Sequence, residues 1–146
     1  MIVYNYDIAQ NMTNKIDYFS LFARIAIAMS FLSAVADRVG LWTPLLGSEN
    51  IVWGNMENFA IYTGTLVPWV SKQLLPLLAW SVTIIEVVLG VLLIIGYQKR
   101  VVALFSGILL LTFAFSMLFF SSVKAPLDYS VFSAAACSFL LYRDSR

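Results

Sequence analysis

The stretch Leu74–Tyr97 reads LLPLLAWSVTIIEVVLGVLLIIGY. A helix needs about 20 mostly apolar residues to cross a bilayer, and this run supplies them. Glu86 stands near its middle. A charge at the centre of a membrane helix costs roughly 2.5–3.5 kcal/mol on insertion scales. Such a residue faces a protein interior, a water-filled cavity or a charge of opposite sign. The stretch therefore predicts lipid as the solvent of the chain and marks where an activity is first to be sought.

The rest of the sequence agrees with that solvent. Of 146 residues, 61% are hydrophobic and 12% are charged. Soluble domains average about half apolar and about a quarter charged. The mean hydropathy of +0.86 points the same way. The length suits one compact transmembrane domain over residues 1–146 and no separate soluble one. A net charge of +1 gives no basis for nucleic-acid binding. The absence of His excludes His-ligated haem and the usual zinc sites, so no metal site is expected. Cys137 is the single cysteine, which excludes an intrachain disulfide or a paired-thiol redox centre. No cofactor is expected to be bound covalently. Any redox group has to come from a diffusible cofactor or a partner.

Four segments qualify as membrane spans. They run from about Tyr18 to Trp42, Leu74 to Tyr97, Val101 to Val123 and Ala125 to Tyr142. The fourth is short, and Pro126 suits the first turn of a helix. Gln98, Lys99 and Arg100 alone join the second and third spans, which forces a tight antiparallel hairpin. The two basic residues there mark that turn as cytoplasmic. Both termini then fall inside, in accord with Lys15, Arg143 and Arg146. Residues 1–17 read as a polar cytoplasmic lead-in. Ala34-Val35-Ala36 has the form of a signal-peptidase site. The segment before it is long and starts with acidic and polar residues, so it reads as a retained span.

The longest connection, about Thr43 to Gln73, is neither apolar enough to span nor polar enough to be a free linker. Trp53, Met56, Phe59 and Ala60 recur at helical spacing, with Asn55, Glu57 and Asn58 on the other side. That pattern predicts a short amphipathic helix lying in the extracytoplasmic interface. Trp42, Trp69 and Trp80 sit at span ends. They are either an aromatic belt or, with Trp53, a stacking wall for a flat ligand. Belt tryptophans scatter toward lipid, whereas a wall converges on one place.

Small and polar residues predict the helix seams, because they let membrane helices approach closely. These are Ala26, Ser30, Ser33 and Asp37 on the first span, and Ala79, Thr83, Glu86 and Gly90 on the second. Ala103, Gly107 and Ala114 serve the third, and Ser130, Ala134 and Ser138 the fourth. The architecture expected is an all-α, integral membrane, antiparallel four-helix bundle with Glu86 turned inward. Arg24 is the cation placed well within a span on the cytoplasmic half, so Glu86 and Arg24 form the candidate catalytic pair. Their depths differ, and the Arg24 side chain leans toward the cytoplasmic surface. The contact is direct, bridged by water or absent. A buried pair that only fixes helix register reads equally well. A second cluster gathers Asp37, Arg38, Glu57, Lys124, Asp128 and Tyr129 at the outer face. It is either a solvated rim or a polar mouth. Candidate ligand-binding residues are Asp37, Arg38, Trp53, Asn55, Asn58, Trp80, Asp128 and Tyr129.

Several of these segments carry a resemblance. Arg24, the small-residue helix ending at Ser33-Ala34-Val35-Ala36-Asp37-Arg38, and Glu86-Val87-Val88-Leu89-Gly90 running to Gly96 and Arg100 resemble the DoxX family of small bacterial membrane proteins. Pro126-Leu127-Asp128-Tyr129-Ser130 resembles the last-helix entry of one branch. The resemblance covers all four spans. It implies a four-helix bundle in the bacterial cytoplasmic (inner) membrane. It also implies a setting of sulfur and thiol redox chemistry, since relatives include a quinone-reducing thiosulfate oxidoreductase subunit and a membrane partner in oxidative-stress complexes. The expected role is a redox-associated subunit that docks a quinone or a redox partner protein, at most as part of a quinone-linked oxidoreductase. A non-catalytic anchor or assembly partner, and a small-solute or proton pathway, are the other readings. A homo-oligomer fits any of the three.

Overall fold

The computed structural model describes residues 18–145. The predicted lead-in over 1–17 lies outside the described residues. Everything described is helix and connection, with no strand among the described residues. In chain order the helices are α1 (Tyr18–Arg38), α2 (Thr43–Leu46), α3 (Met56–Leu66), α4 (Leu75–Ile95), α5 (Lys99–Phe120), α6 (Lys124–Asp128) and α7 (Val131–Asp144). A single 3-10 turn, Ser48–Asn50, follows α2.

Three helices, α1, α4 and α5, are long and apolar enough to cross a membrane. Their outward faces are apolar too. On α1, Phe19 and Phe22 are 87% and 73% exposed, which suits contact with lipid and not with water.

Local chemistry sets the boundaries. Pro76 sits in the first turn of α4, where a missing N–H costs nothing. Gly96 ends that helix in the left-handed region (φ +77°), and its N–H donates to the Leu92 carbonyl. Gln98 starts α5 (φ +43°), so the hairpin turns within three residues. Asn55, extended at φ −158°, caps α3 by accepting from the Asn58 N–H at 2.8 Å.

The predicted fourth span is not one helix. The chain breaks after α6 at Tyr129–Ser130, with Ser130 at φ +53°. What remains, α7, has 14 residues, or about 21 Å of helix. It packs along α5, while α1 packs along α4, and α3 crosses the outer half of α4. The α4–α5 hairpin is splayed by comparison. Ile85, Val88, Phe105 and Ile108 wall an open apolar groove between the two helices.

The core lies along these pairings. Ile27, Ala28 and Phe31 of α1 meet Leu89 and Leu93 of α4, with Val102, Ala103 and Leu110 of α5 and Ala135 and Leu141 of α7. Small residues allow the close approaches. A Cβ on Gly90 would lie 3.1 Å from Leu32 and 3.4 Å from the Ala28 carbonyl. One on Gly107 would lie 2.8 Å from the Phe139 ring.

The predicted seams of α4 (Ala79, Thr83, Glu86, Gly90) and α5 (Ala103, Gly107, Ala114) are buried throughout. The one predicted for α1 is not: Ala26, Ser30 and Ser33 face outward, and only Asp37 of that set is buried. The seam of α1 is made instead by Arg24, Ile27, Ala28, Phe31 and Arg38. On α7, Ser138 is buried, Ala134 half-buried and Ser130 exposed.

Gly90→Val is expected to destabilise the protein by about 1–3 kcal/mol through overpacking of the α1–α4 seam. Ser133→Ala, on the exposed side of α7, is expected to stay within about 0.5 kcal/mol. Unfolding curves of the two variants in mild detergent check the difference.

Candidate functional site

Glu86 is buried at the middle of α4, 2% exposed. Its partner is Arg38, at the outer end of α1 and 3% exposed. The guanidinium grips the carboxylate with two nitrogens. Nη1 donates to Oε2, and Nη2 donates to Oε1 at 3.2 Å. Nη1 also reaches Thr83 Oγ1 at 3.2 Å, one helical turn away on α4. Thr83 in turn donates to the Ala79 carbonyl at 2.8 Å. A fork-shaped pair of this kind is among the stronger polar contacts a protein makes.

Aromatic rings close the site from α3 and the connection before it. The guanidinium carbon of Arg38 lies 3.7 Å from the Phe59 ring centroid and 5.1 Å from that of Trp53. Cations over desolvated rings gain roughly 2 kcal/mol. Trp53 packs edge-on against Phe59 at 5.1 Å and near Tyr62 at 5.8 Å. The Trp53 backbone N–H donates to Asp37 Oδ2 at 3.0 Å, which ties the connection to the residue beside Arg38. Met56 completes the cover, with its sulfur 3.9 Å from Thr83 Oγ1.

Arg24 does not meet Glu86. Its Nε donates to the Leu93 carbonyl at 3.0 Å, and one Nη donates to Leu93 at 2.6 Å and to Ile94 at 3.3 Å. These carbonyls belong to the last turn of α4, which lacks helical N–H partners of its own and carries a partial negative charge. Arg24 therefore caps α4 from a neighbouring helix. A side chain on Gly96 would run into its guanidinium.

One directional rule accounts for both arginines. Side chains on a helix lean toward its N-terminus. Arg24, near the N-terminal end of α1, leans away from the middle of the helix. Arg38, at the other end, leans into it. Leu93 lies seven residues below Glu86, about 10 Å along the helix, and that offset separates the two cationic sites. By the position of its Cα alone, Arg38 belongs to the rim of the bundle. Applied to Arg38, the same rule finds the partner of Glu86.

The remaining candidates divide. Asn55 caps α3, and Asn58 Nδ2 donates to the Trp53 carbonyl at 2.8 Å, so both shape the segment that carries Trp53. Trp80 and Trp69 are exposed; Trp69 packs on Phe120 at 5.0 Å. Trp42 donates from its indole to the Ser33 carbonyl at 3.1 Å. These three have the scatter of a belt, and Trp53 alone converges on the charged pair. The outer cluster splits as well. Asp37 and Arg38 turn inward, whereas Lys124 and Asp128 pair with each other on the surface of α6. Glu57 is exposed in the first turn of α3. Tyr129 is exposed yet near enough to Tyr62 to act on it. Burial, and secondarily Tyr129, pushes the Tyr62 phenol above its ordinary value. Cys137 is half-buried on α7, where Ala134 and Phe139 line the same core.

What the arrangement offers is a buried cation and carboxylate at the middle of a long apolar helix, under a face of aromatic rings. Among the described residues, no group of three or more Cys, Asp or Glu side chains is placed to hold a metal ion. Comparison with family models, curated proteins and solved structures gives no match for this chain.

Glu86→Ala is expected to cost about 3–5 kcal/mol, since it strands a buried guanidinium. The double variant Arg38→Met with Glu86→Leu is expected to cost less than Glu86→Ala alone. A double-mutant cycle on unfolding in detergent reads the coupling. Arg24→Met is expected to cost about 1.5–3 kcal/mol, the worth of hydrogen bonds from a charged donor, and to add to Glu86→Ala without coupling.

Proposed function

We propose that this chain is a DoxX-like subunit of the bacterial inner membrane that docks a quinone or a redox partner and holds no redox group of its own. In this reading α1, α4, α5 and the α6–α7 arm form an antiparallel bundle with both chain ends cytoplasmic. Lys99 and Arg100 in the α4–α5 turn support that orientation. Three helices fit for a bilayer support the membrane setting.

The observation that carries the proposal is the Arg38–Glu86 pair beneath Trp53 and Phe59. A quinone head is flat, apolar on its faces and rich in acceptors at its edge. Trp53 offers a stacking face, Arg38 offers donors, and Glu86 offers a carboxylate to exchange protons. Quinone reduction takes up two protons with two electrons, so a carboxylate at that depth has a use. Thr83 and the Trp53 segment position the two charged groups.

A second reading is favoured by the closure of the pair. Arg38 and Glu86 satisfy each other and are almost fully buried. A non-catalytic anchor needs only that: a register lock between α1 and α4 that presents α3 to a partner protein. A proton or solute pathway has less support. On the cytoplasmic side of Glu86, Leu89, Gly90 and Leu93 close the seam with α1.

Titration of the purified protein with a short-chain quinone separates the two main readings. Saturable quenching of tryptophan fluorescence, lost in Trp53→Phe and weakened at least about tenfold in Glu86→Gln, is the expected result; one lost ion-assisted contact is worth a factor of that order. Absence of quenching, with Glu86→Gln changing only the melting temperature, decides for the anchor.

A further inference from the structure

The segment between α1 and α3 leaves the bundle and returns to nearly the same point. Just past α1, Gly40 lies in the left-handed region (φ +74°). Its N–H reaches back to the Asp37 carbonyl at 3.0 Å, and the Leu41 N–H to the Ala36 carbonyl at 2.8 Å. This helix stop, built on a left-handed glycine, turns the chain aside. Two contacts at the same place fix the return. The Trp53 backbone N–H donates to Asp37 Oδ2 at 3.0 Å, and a Cβ on Gly40 would lie 3.2 Å from the Gly54 carbonyl oxygen. A compact loop whose ends meet in this way is an Ω-loop, and such loops are often functional.

Several apolar residues of this loop do not pack inward. Leu41 is 62% exposed, Leu45 71% and Val52 63%. Within residues 39–53 Glu49 is the one charge, and no Lys or Arg occurs. Exposed apolar side chains on one short loop mark a contact surface.

Trp42 selects what that surface meets. Its indole donates to the Ser33 carbonyl at 3.1 Å. Ser33 faces outward on α1, five residues before Arg38. The indole therefore reaches back about 7.5 Å along the helix from its end. Phe22 and Met29, both exposed, share the Ser33 face at helical spacing. The loop is thus folded down the flank of α1 that is turned away from the core, and not over the end of the bundle. Leu45 sits one turn from Trp42, with its N–H bonded to the Trp42 carbonyl at 3.0 Å. That flank belongs to a helix long and apolar enough to cross a membrane. A tryptophan near the end of such a helix suits the headgroup level, and leucines beside it suit the acyl boundary.

We infer that residues 41–52 are a lipid anchor: Trp42 rests at the headgroup level, and Leu41 and Leu45 enter the acyl boundary of the leaflet at the Arg38 end of α1. The inference rests on the membrane setting proposed above and not on a quinone. With no basic residue in it, the anchor holds by apolar burial and is indifferent to lipid charge.

The test uses the full chain, with Cys137→Ser, in phosphatidylcholine nanodiscs. An environment-sensitive fluorophore is attached at Leu45→Cys and, in a second sample, at Met29→Cys on the same flank of α1. The expected result is a blue-shifted Leu45 label that nitroxides placed high on the lipid acyl chains quench and that aqueous iodide does not. Replacing part of the lipid by phosphatidylglycerol, or raising the salt, is expected to leave that result unchanged. A Leu45 label quenched by iodide and spared by the lipid nitroxide, with the Met29 label quenched by lipid, overturns the anchor and leaves the membrane setting standing. A Met29 label that no lipid nitroxide reaches removes the membrane setting, and the anchor with it. A Leu45 label shielded from both quenchers has protein over it, a second copy included, and also overturns the anchor.

Discussion

The outer half of this molecule hangs on one guanidinium. Arg38 belongs to α1, bonds Glu86 and Thr83 of α4, and lies under Phe59 of α3 and Trp53 of the connection. Each of those contacts is weak or costly by itself. A carboxylate in a membrane helix is expensive, and an aromatic ring has no reason of its own to turn away from lipid. Together they satisfy one another. The acid needs the cation, the cation needs desolvated rings to replace water, and the rings need a charged anchor to hold a loop helix over the bundle. That mutual need explains how an 11-residue helix, α3, stays docked on α4 with a single capped end.

The inner half is organised differently. Arg24 spends its charge on backbone carbonyls at the end of α4 and on no carboxylate. The two buried arginines of α1 thus clamp α4 at two levels, one through a side chain and one through the main chain. Helices that touch at two separated polar points have their rotation and their sliding fixed at once. The apolar residues between, Ile27, Ala28 and Phe31 against Leu89 and Leu93, then pack in one register.

Much of this was legible in the sequence, and the parts that were not share a cause. The α4 and α5 seams could be read because each has a Gly or a charge that can face only a neighbour. On α1, Ala26, Ser30 and Ser33 are small enough to face either lipid or protein, and they face outward. The large residues, Arg24, Phe31 and Arg38, decide that face. The partner of Glu86 was missed because Arg38 looked like a rim charge by position. Its side chain, and not its Cα, sets its depth. The short amphipathic helix followed from spacing, but it starts at Met56, so Trp53 stays in the connection and Asn55, expected on the polar face, is its cap. The break at Ser130 carried no such signal, since serine has no special claim on a left-handed backbone.

That break leaves α7 shorter than the three long apolar helices. The hydrocarbon core of a bilayer is about 30 Å thick, whereas α7 covers about 21 Å. Only α7 falls short of that thickness; α5, at 22 residues, and α1 and α4, at 21 each, do not. A bilayer meets such a mismatch by thinning locally or by tilting what it holds. To a bilayer spanned by its three long apolar helices, the molecule would be a wedge in thickness. A bilayer spanned by α1, α4 and α5 would be drawn down on the α7 flank only, and would be least strained where it is already thin or where another protein fills that flank.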